Sequence, residues 1–231
     1  MSAERRIVIT ADDFGMNPAS SRIVCDLVAS GRVSAVTALA NSDDLPAQLN
    51  MLRDAGLSSV GLHHEATGGE IADELREQHS RLTGCGMDVI RLDSHCGALY
   101  TPEALPAALE FCTRFSLAFR MPRTFPTQFF AEGDSPMRAL HAQAVAAADR
   151  LGVALPQMML TNTTPYQDVA SYEQLRDSYI AMLDAVPVGV SEVFVHPGVD
   201  DQKRQWEARL VVDSQWLEAL KERDIRVVDR W

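Results

Sequence analysis

Asp12 and Asp13 stand side by side in "VITADDFGMNP", where the first apolar run of the chain stops. Adjacent carboxylates repel, and aspartate is a poor strand residue. Such a pair is tolerable where a cation absorbs the charge of one of the two acids. Histidines occupy comparable places further on: His63 in "VGLHHEATG", His95 in "IRLDSHCGALY" and His196 in "EVFVHPGVD". One carboxylate and two neutral imidazoles form a common shell for a divalent metal and leave positions for water and substrate. Asp13, His63 and His95 would supply that shell. Asp12 would be left to take a proton from water held there.

These residues are far apart in the chain, so the fold must gather them. Short apolar runs alternate with amphipathic stretches. The pattern predicts strands at residues 6–10, 35–40, 59–62, 89–92, 117–119, 157–160 and 190–195, with a last one at 225–228. It predicts helices at 18–30, 45–55, 71–82, 102–115, 137–151, 171–185 and 213–223. Seven or eight βα units imply the α/β class and a parallel (β/α) barrel, because parallel strands need crossover helices and bury both faces. A doubly wound open sheet is the alternative. With no linker, low-complexity segment or repeat beyond this alternation, residues 1–231 read as one domain.

Polar residues of catalytic type follow the expected strand ends: Asp12 and Asp13, Asn41, His63, Asp93 to His95, Arg120, Thr161 and Asn162, and His196. In a parallel barrel these ends share one rim, and that rim is where such folds do chemistry. Asp93 reads either as a partner of the ligands or as a buried ion-pair residue. His64 reads as a structural histidine.

The chain has 231 residues, 46% hydrophobic and 23% charged, with a net charge of −11, which argues against a nucleic-acid or anionic-membrane partner. No apolar stretch approaches the about 18 residues of a membrane span. The apolar run at 7–9 is too short for a signal peptide. Cys25, Cys85, Cys96 and Cys112 form no CxxC pattern, so free thiols and a cytoplasmic setting are expected.

At the same residues the chain resembles the YdjC/ChbG–HpnK family of carbohydrate deacetylases. The motifs are "ADDFG" (11–15), "TALANS" (37–42), "GLH" (61–63), "LDSH" (92–95) and "HPG" (196–198), in that order. The resemblance implies a distorted (β/α) barrel that uses one divalent metal ion to remove N-acetyl groups from amino sugars. Zinc or magnesium leads the choice of ion, with manganese, cobalt or nickel also accepted. Asp13, His63 and His95 correspond to the metal ligands, Asp12 to the catalytic base and His196 to the proton donor. Arg120, in "FRMPR", would orient Asp12. A backbone N–H near residues 98–100 would help hold the oxyanion. Asn41, Tyr100 and Phe125 are the expected substrate contacts, Phe125 lying in a Pro/Phe-rich loop read as a lid or a subunit contact.

Two departures stand out. His95 is followed by Cys96, Gly97 and Ala98 where better-known members carry further histidines. Only residues 65–70 separate His64 from the next helix, so the rim is either more open or completed by a second copy in a homodimer. The nearest alternative is a metal-dependent hydrolase of another amide or ester. A phosphoryl-binding receiver-like module would be far shorter and would need no histidines at three other strand ends.

Overall fold

The computed structural model describes residues 4–124 and 135–231. Strands and helices alternate: β1 Arg5–Phe14, α1 Pro18–Ala29, β2 Ala35–Ala38, α2 Leu45–Asp54, β3 Ser59–His64, α3 Ile71–Gly84, β4 Asp88–Ser94 and α4 Leu105–Phe115. The second half continues with β5 Ala118–Phe119, α5 Ser135–Leu151, β6 Met159–Leu160, α6 Tyr172–Met182, β7 Gly189–Val195, α7 Gln202–Leu210, α8 Ser214–Glu222 and β8 Ile225–Val228.

All the strand pairings are parallel, in the order β5-β4-β3-β2-β1-β7-β6. The two ends of this order meet along a thin seam. The N–H groups of Phe119, Arg123 and Thr124 donate to the carbonyls of Ala154, Pro156 and Gln157 at 2.9, 2.9 and 3.0 Å. The result is a distorted (β/α) barrel, weakest where two-residue strands border the seam. β1 carries the frame: it pairs with β7 on one edge, while its other edge is shared by β8 at residues 5–8 and β2 from Thr10 onward.

Burial explains the strand sequences. Ile7, Val8, Ile9 and Ala11 are all buried, as a strand covered on both faces requires. The helices turn one apolar stripe inward: Leu45, Leu49 and Leu52 in α2, Leu75 and Leu82 in α3. Pro18 opens α1, where Asn17 Oδ1 accepts the Ser20 N–H at 2.9 Å. Four cysteines are unpaired. No helix among the described residues is long and apolar enough to cross a membrane.

Several boundaries differ from expectation. β1 runs on through both aspartates to Phe14, and β3 and β4 reach His64 and Ser94, so these polar residues close the strands instead of following them. The helix expected from residue 102 begins at Leu105. The one expected at 171–185 is α-helical only to Met182 and ends in a 3-10 turn. α7 was not expected. Its sequence, QKRQWEARL, buries only Glu207 and Leu210, so it has almost no apolar period to read.

Candidate metal and catalytic site on the C-terminal rim

The end of β1 answers how two adjacent acids can serve one site. Successive strand residues normally face opposite sides. The register of β1 against β2 shifts between Ala11 and Phe14, and Asp13 adopts φ +62°, a left-handed conformation that aspartate tolerates. This bulge re-aims the carboxylates, and both are buried at the rim. The chain then turns at Gly15, φ +97°, where a Cβ would lie 3.0 Å from the Leu39 carbonyl.

Asp13 Oδ1 lies 3.1 Å from His63 Nε2 and 3.0 Å from His95 Nδ1, and the two nitrogens are 3.4 Å apart. A cation about 2.0–2.1 Å from each of three donors on a tetrahedral shell needs separations of about 3.3–3.4 Å. The triangle therefore fits a divalent ion. His63 Nδ1 donates to Asp93 Oδ1 at 2.8 Å, which turns the Nε2 lone pair toward Asp13. Burial opposes charge on His63, but Asp93 and Asp13 outweigh it and lift its pKa to about 10. Burial likewise opposes charge on Asp13, yet His63, His196 and Arg204 hold its carboxyl well below the usual range.

Asp12, His63 and Asp93 form a second acidic group, but a guanidinium fills it. Arg120 Nη1 donates to Asp12 Oδ2 at 2.6 Å and lies 2.5 Å from Asp93 Oδ2; Nη2 donates to Asp12 Oδ1 and Glu192 Oε1 at 2.8 and 2.9 Å; Nε donates to Glu192 Oε2 at 2.9 Å. One planar fork thus serves three buried carboxylates. Thr37 Oγ1 adds a bond to Asp12 Oδ1 at 2.7 Å, and Thr10 Oγ1 one to Glu192 Oε1 at 2.6 Å. Burial raises the pKa of Asp12, but Arg120, then His63 and His196, outweigh it and draw the value down to about 2. Burial raises that of Glu192 despite Arg120.

His196 follows β7. Its Nε2 is 4.0 Å from Asp12 Oδ2, and its Nδ1 is 3.4 Å from Glu207 Oε2. Glu207, on α7, also accepts the His196 backbone N–H at 2.6 Å and the Tyr179 hydroxyl at 3.1 Å. Burial opposes a charged His196, but Glu207, Asp12 and Asp13 raise its pKa above the ordinary imidazole value. Arg204, three residues before Glu207, donates to Asp13 Oδ2 at 2.5 Å. A cavity of about 210 Å³ lies among His196, Asp201, Lys203, Arg204 and Glu207. Larger cavities, about 630 and 700 Å³, adjoin α4 and α5 and include none of the rim residues.

The structure brings Asp12, Asp13, His63, His95, Arg120 and His196 together on one rim. Asp93 joins both roles foreseen for it, bonding His63 and pairing with Arg120. Tyr100 spends its hydroxyl on the Arg120 carbonyl at 2.6 Å and so props the hub. The backbone donors expected nearby are largely spent: Leu99 N–H goes to Ser94 Oγ and Tyr100 N–H to the Gly97 carbonyl, at 3.1 and 3.0 Å. Asn41 lies half-buried in the turn after β2. Phe125 falls outside the described residues. His64 faces away from His63: its Nε2 meets Glu74 Oε2 at 3.0 Å, and Glu74 Oε1 gathers Thr67 N, Thr67 Oγ1 and Gly69 N at 2.8, 2.6 and 2.8 Å. The pair fastens the short loop after β3.

Glu192, Arg204 and Glu207 carry no expectation from the sequence, and Thr37 only its place in "TALANS". Glu192 left a trace, as a lone acid inside the apolar run "VSEVFV". The capping residue Asp201 marked the start of α7, since its Oδ1 accepts the Arg204 N–H at 2.8 Å.

Fold and rim together define a parallel-barrel protein with a candidate Asp/His/His metal centre beside a buried Asp–Arg pair and a histidine. The family model for YdjC-like proteins matches residues 6–70 and 64–222, and the chain belongs to that family. A chitooligosaccharide deacetylase of Citrobacter koseri is 25% identical over 197 residues, covering 64% of this chain and 77% of the relative. One from Salmonella typhi is 22% identical over 247 residues, covering 84% and 98%. A candidate cellobiose-phosphate cleavage protein of Enterococcus faecalis V583 superposes with a TM-score of 0.73 at 18% identity, over 98% of this chain and 97% of that one, which establishes likeness of fold.

Proposed function

We propose that this chain is a carbohydrate deacetylase that removes the acetyl group from an N-acetylated amino sugar with the help of one divalent cation. The observation that carries the reading is the triangle of Asp13 Oδ1, His63 Nε2 and His95 Nδ1, with sides of 3.0 to 3.4 Å, next to Asp12. Its relatives named chitooligosaccharide deacetylases support the substrate class.

Asp13, His63 and His95 would hold the ion. When bound, such an ion polarises a carbonyl and lowers the pKa of water, to about 7 in the best zinc sites. The remaining work belongs to the chain. Asp12 stays ionised because Arg120 and Thr37 saturate it with donors, and it accepts the proton of the attacking water. His196, whose pKa Glu207 raises against the effect of burial, gives a proton to the departing sugar nitrogen, which leaves poorly as an anion. Positioned acid and base groups typically contribute roughly 10²–10⁴-fold each. Arg120 fixes the aim of Asp12 and ties it to Asp93, the partner of His63. Asn41 and Phe125 are proposed to border the sugar, and the Ala98 N–H is proposed as the oxyanion donor because those of Leu99 and Tyr100 are bonded within the chain.

The reading keeps residues 1–231 as one catalytic domain, with a small-molecule partner and a cytoplasmic setting in accord with four unpaired thiols. Purified protein is to be analysed for metal and then assayed for acetate release from a panel of N-acetylated sugars. Near-stoichiometric divalent metal and chelator-sensitive acetate release are expected. Metal without acetate from any sugar would transfer the reading to another amide or ester. Full activity in metal-free protein would remove the cation from it.

A further inference from the structure

Arg204 reaches the rim from the first turn of α7, and its Nη2 donates to Asp13 Oδ2 at 2.5 Å. The other oxygen of that carboxylate faces His63 Nε2 and His95 Nδ1 at 3.1 and 3.0 Å. The carboxylate is divided, one oxygen to the imidazoles and one to a guanidinium. Several contacts hold the arrangement. Asp201 accepts the Arg204 N–H at 2.8 Å and lies 3.7 Å from its Nε. Gly198 leaves room, since a Cβ there would sit 2.8 Å from Ser20 Oγ and 3.3 Å from Arg204 Cδ. Ser20 Oγ and Asn17 Nδ2 both bond Asp200 Oδ2, at 3.0 Å each, tying the loop before α7 to the start of α1.

We propose that Arg204 is a positioning residue that keeps Asp13 a one-oxygen ligand of the divalent cation, lowering the affinity of the site while raising the Lewis acidity of the ion. The proposal rests on the cation reading given above. A carboxylate can offer a cation one oxygen or two. With a guanidinium on Oδ2, Asp13 has only Oδ1 to give. The same guanidinium withdraws negative charge from the ligand and adds positive charge near the ion. A cation with fewer and weaker oxygen donors binds less tightly, polarises a carbonyl more, and keeps a position open for substrate. Outer-shell partners commonly act the other way: they raise ligand basicity, and their loss costs about 10–100-fold in metal affinity. The sign of the affinity change therefore separates the two roles.

The test uses the full chain loaded with Co²⁺, as wild type, Arg204→Met and Arg204→Lys. Arg204→Met is expected to bind Co²⁺ more tightly, by about tenfold, which is the size but not the sign of an ordinary outer-shell effect. Its visible absorption per ion should weaken as a second carboxylate oxygen raises the coordination number, and its kcat should fall. Arg204→Lys, which keeps a cationic donor, should return the spectrum toward wild type. Arg204→Gln carries the same expectation as the methionine variant should that one not fold. Weaker Co²⁺ binding in the neutral variants, or a spectrum superimposable on wild type, would overturn the proposal and leave the cation reading standing. A wild-type chain that takes up no Co²⁺ would overturn both.

Discussion

Nδ1 of His63 donates to Oδ1 of Asp93 at 2.8 Å, and this single bond decides which imidazole nitrogen faces the rim. Asp93 is fully buried, and its other oxygen lies 2.5 Å from Arg120 Nη1. The tautomer of one candidate ligand is thereby linked to the hub that holds Asp12.

The first prediction concerns that link. Asp93→Asn keeps the shape of the side chain but removes the charge that favours the Nδ1–H tautomer. Zinc affinity should weaken by about 10–100-fold, the usual cost of losing such a partner. Isothermal titration with Zn²⁺ measures it, and an unchanged Kd would mean that Asp93 serves Arg120 alone.

Asp12→Asn should separate binding from turnover. The amide oxygen in the Oδ1 place can still accept from Thr37 and from Arg120 Nη2, the Nη1 bond being lost, but the side chain cannot accept a proton. We expect wild-type metal content and a loss of about 10²–10⁴-fold in kcat. Acetate release and metal analysis on the same preparation give both numbers, and near-normal turnover would take Asp12 out of the mechanism.

Arg120→Met is a stability experiment. It strips three buried carboxylates, Asp12, Asp93 and Glu192, of their shared cation. Breaking a buried pair by removing one partner typically costs about 3–5 kcal/mol, because a desolvated charge is left behind. Urea unfolding should report a loss of that order; a loss well under about 1 kcal/mol would place the network among weakly coupled surface pairs.

The fourth prediction is a pH effect with a definite sign. Burial disfavours a charged His196, yet the hydrogen bond and charge of Glu207, with Asp12 and Asp13, raise its pKa. Activity that needs the imidazolium is present at low pH and falls as pH rises through that raised value. The same interaction stabilises the fold fully below the unfolded imidazole value of about 6.5 and is lost as pH passes the folded one. Glu207→Gln removes the leading favourable influence, so the falling limb of kcat/KM should move to lower pH. A limb that stays in place would assign it to another group.

Much of this protein can be read from local pattern. Apolar runs such as Ile7 to Ile9, with Pro18 and Gly15 as punctuation, mark strand and turn because burial and backbone sterics act over a few residues. The polar residues at the strand ends were visible for the same reason, and parallel topology then implied a common rim. Apolar periodicity could not foretell α7, whose nine residues present almost no apolar face and leave only the cap at Asp201 as a local mark. Nor could it foretell that Asp13 would turn left-handed and re-aim its carboxylate. The partners of the acids are further still from any local rule. Arg120 meets Asp12 across 108 residues of chain, and Arg204 meets Asp13 across 191. Which cation neutralises which buried carboxylate depends on separations of a few ångströms at low dielectric, and those exist only once the barrel has closed.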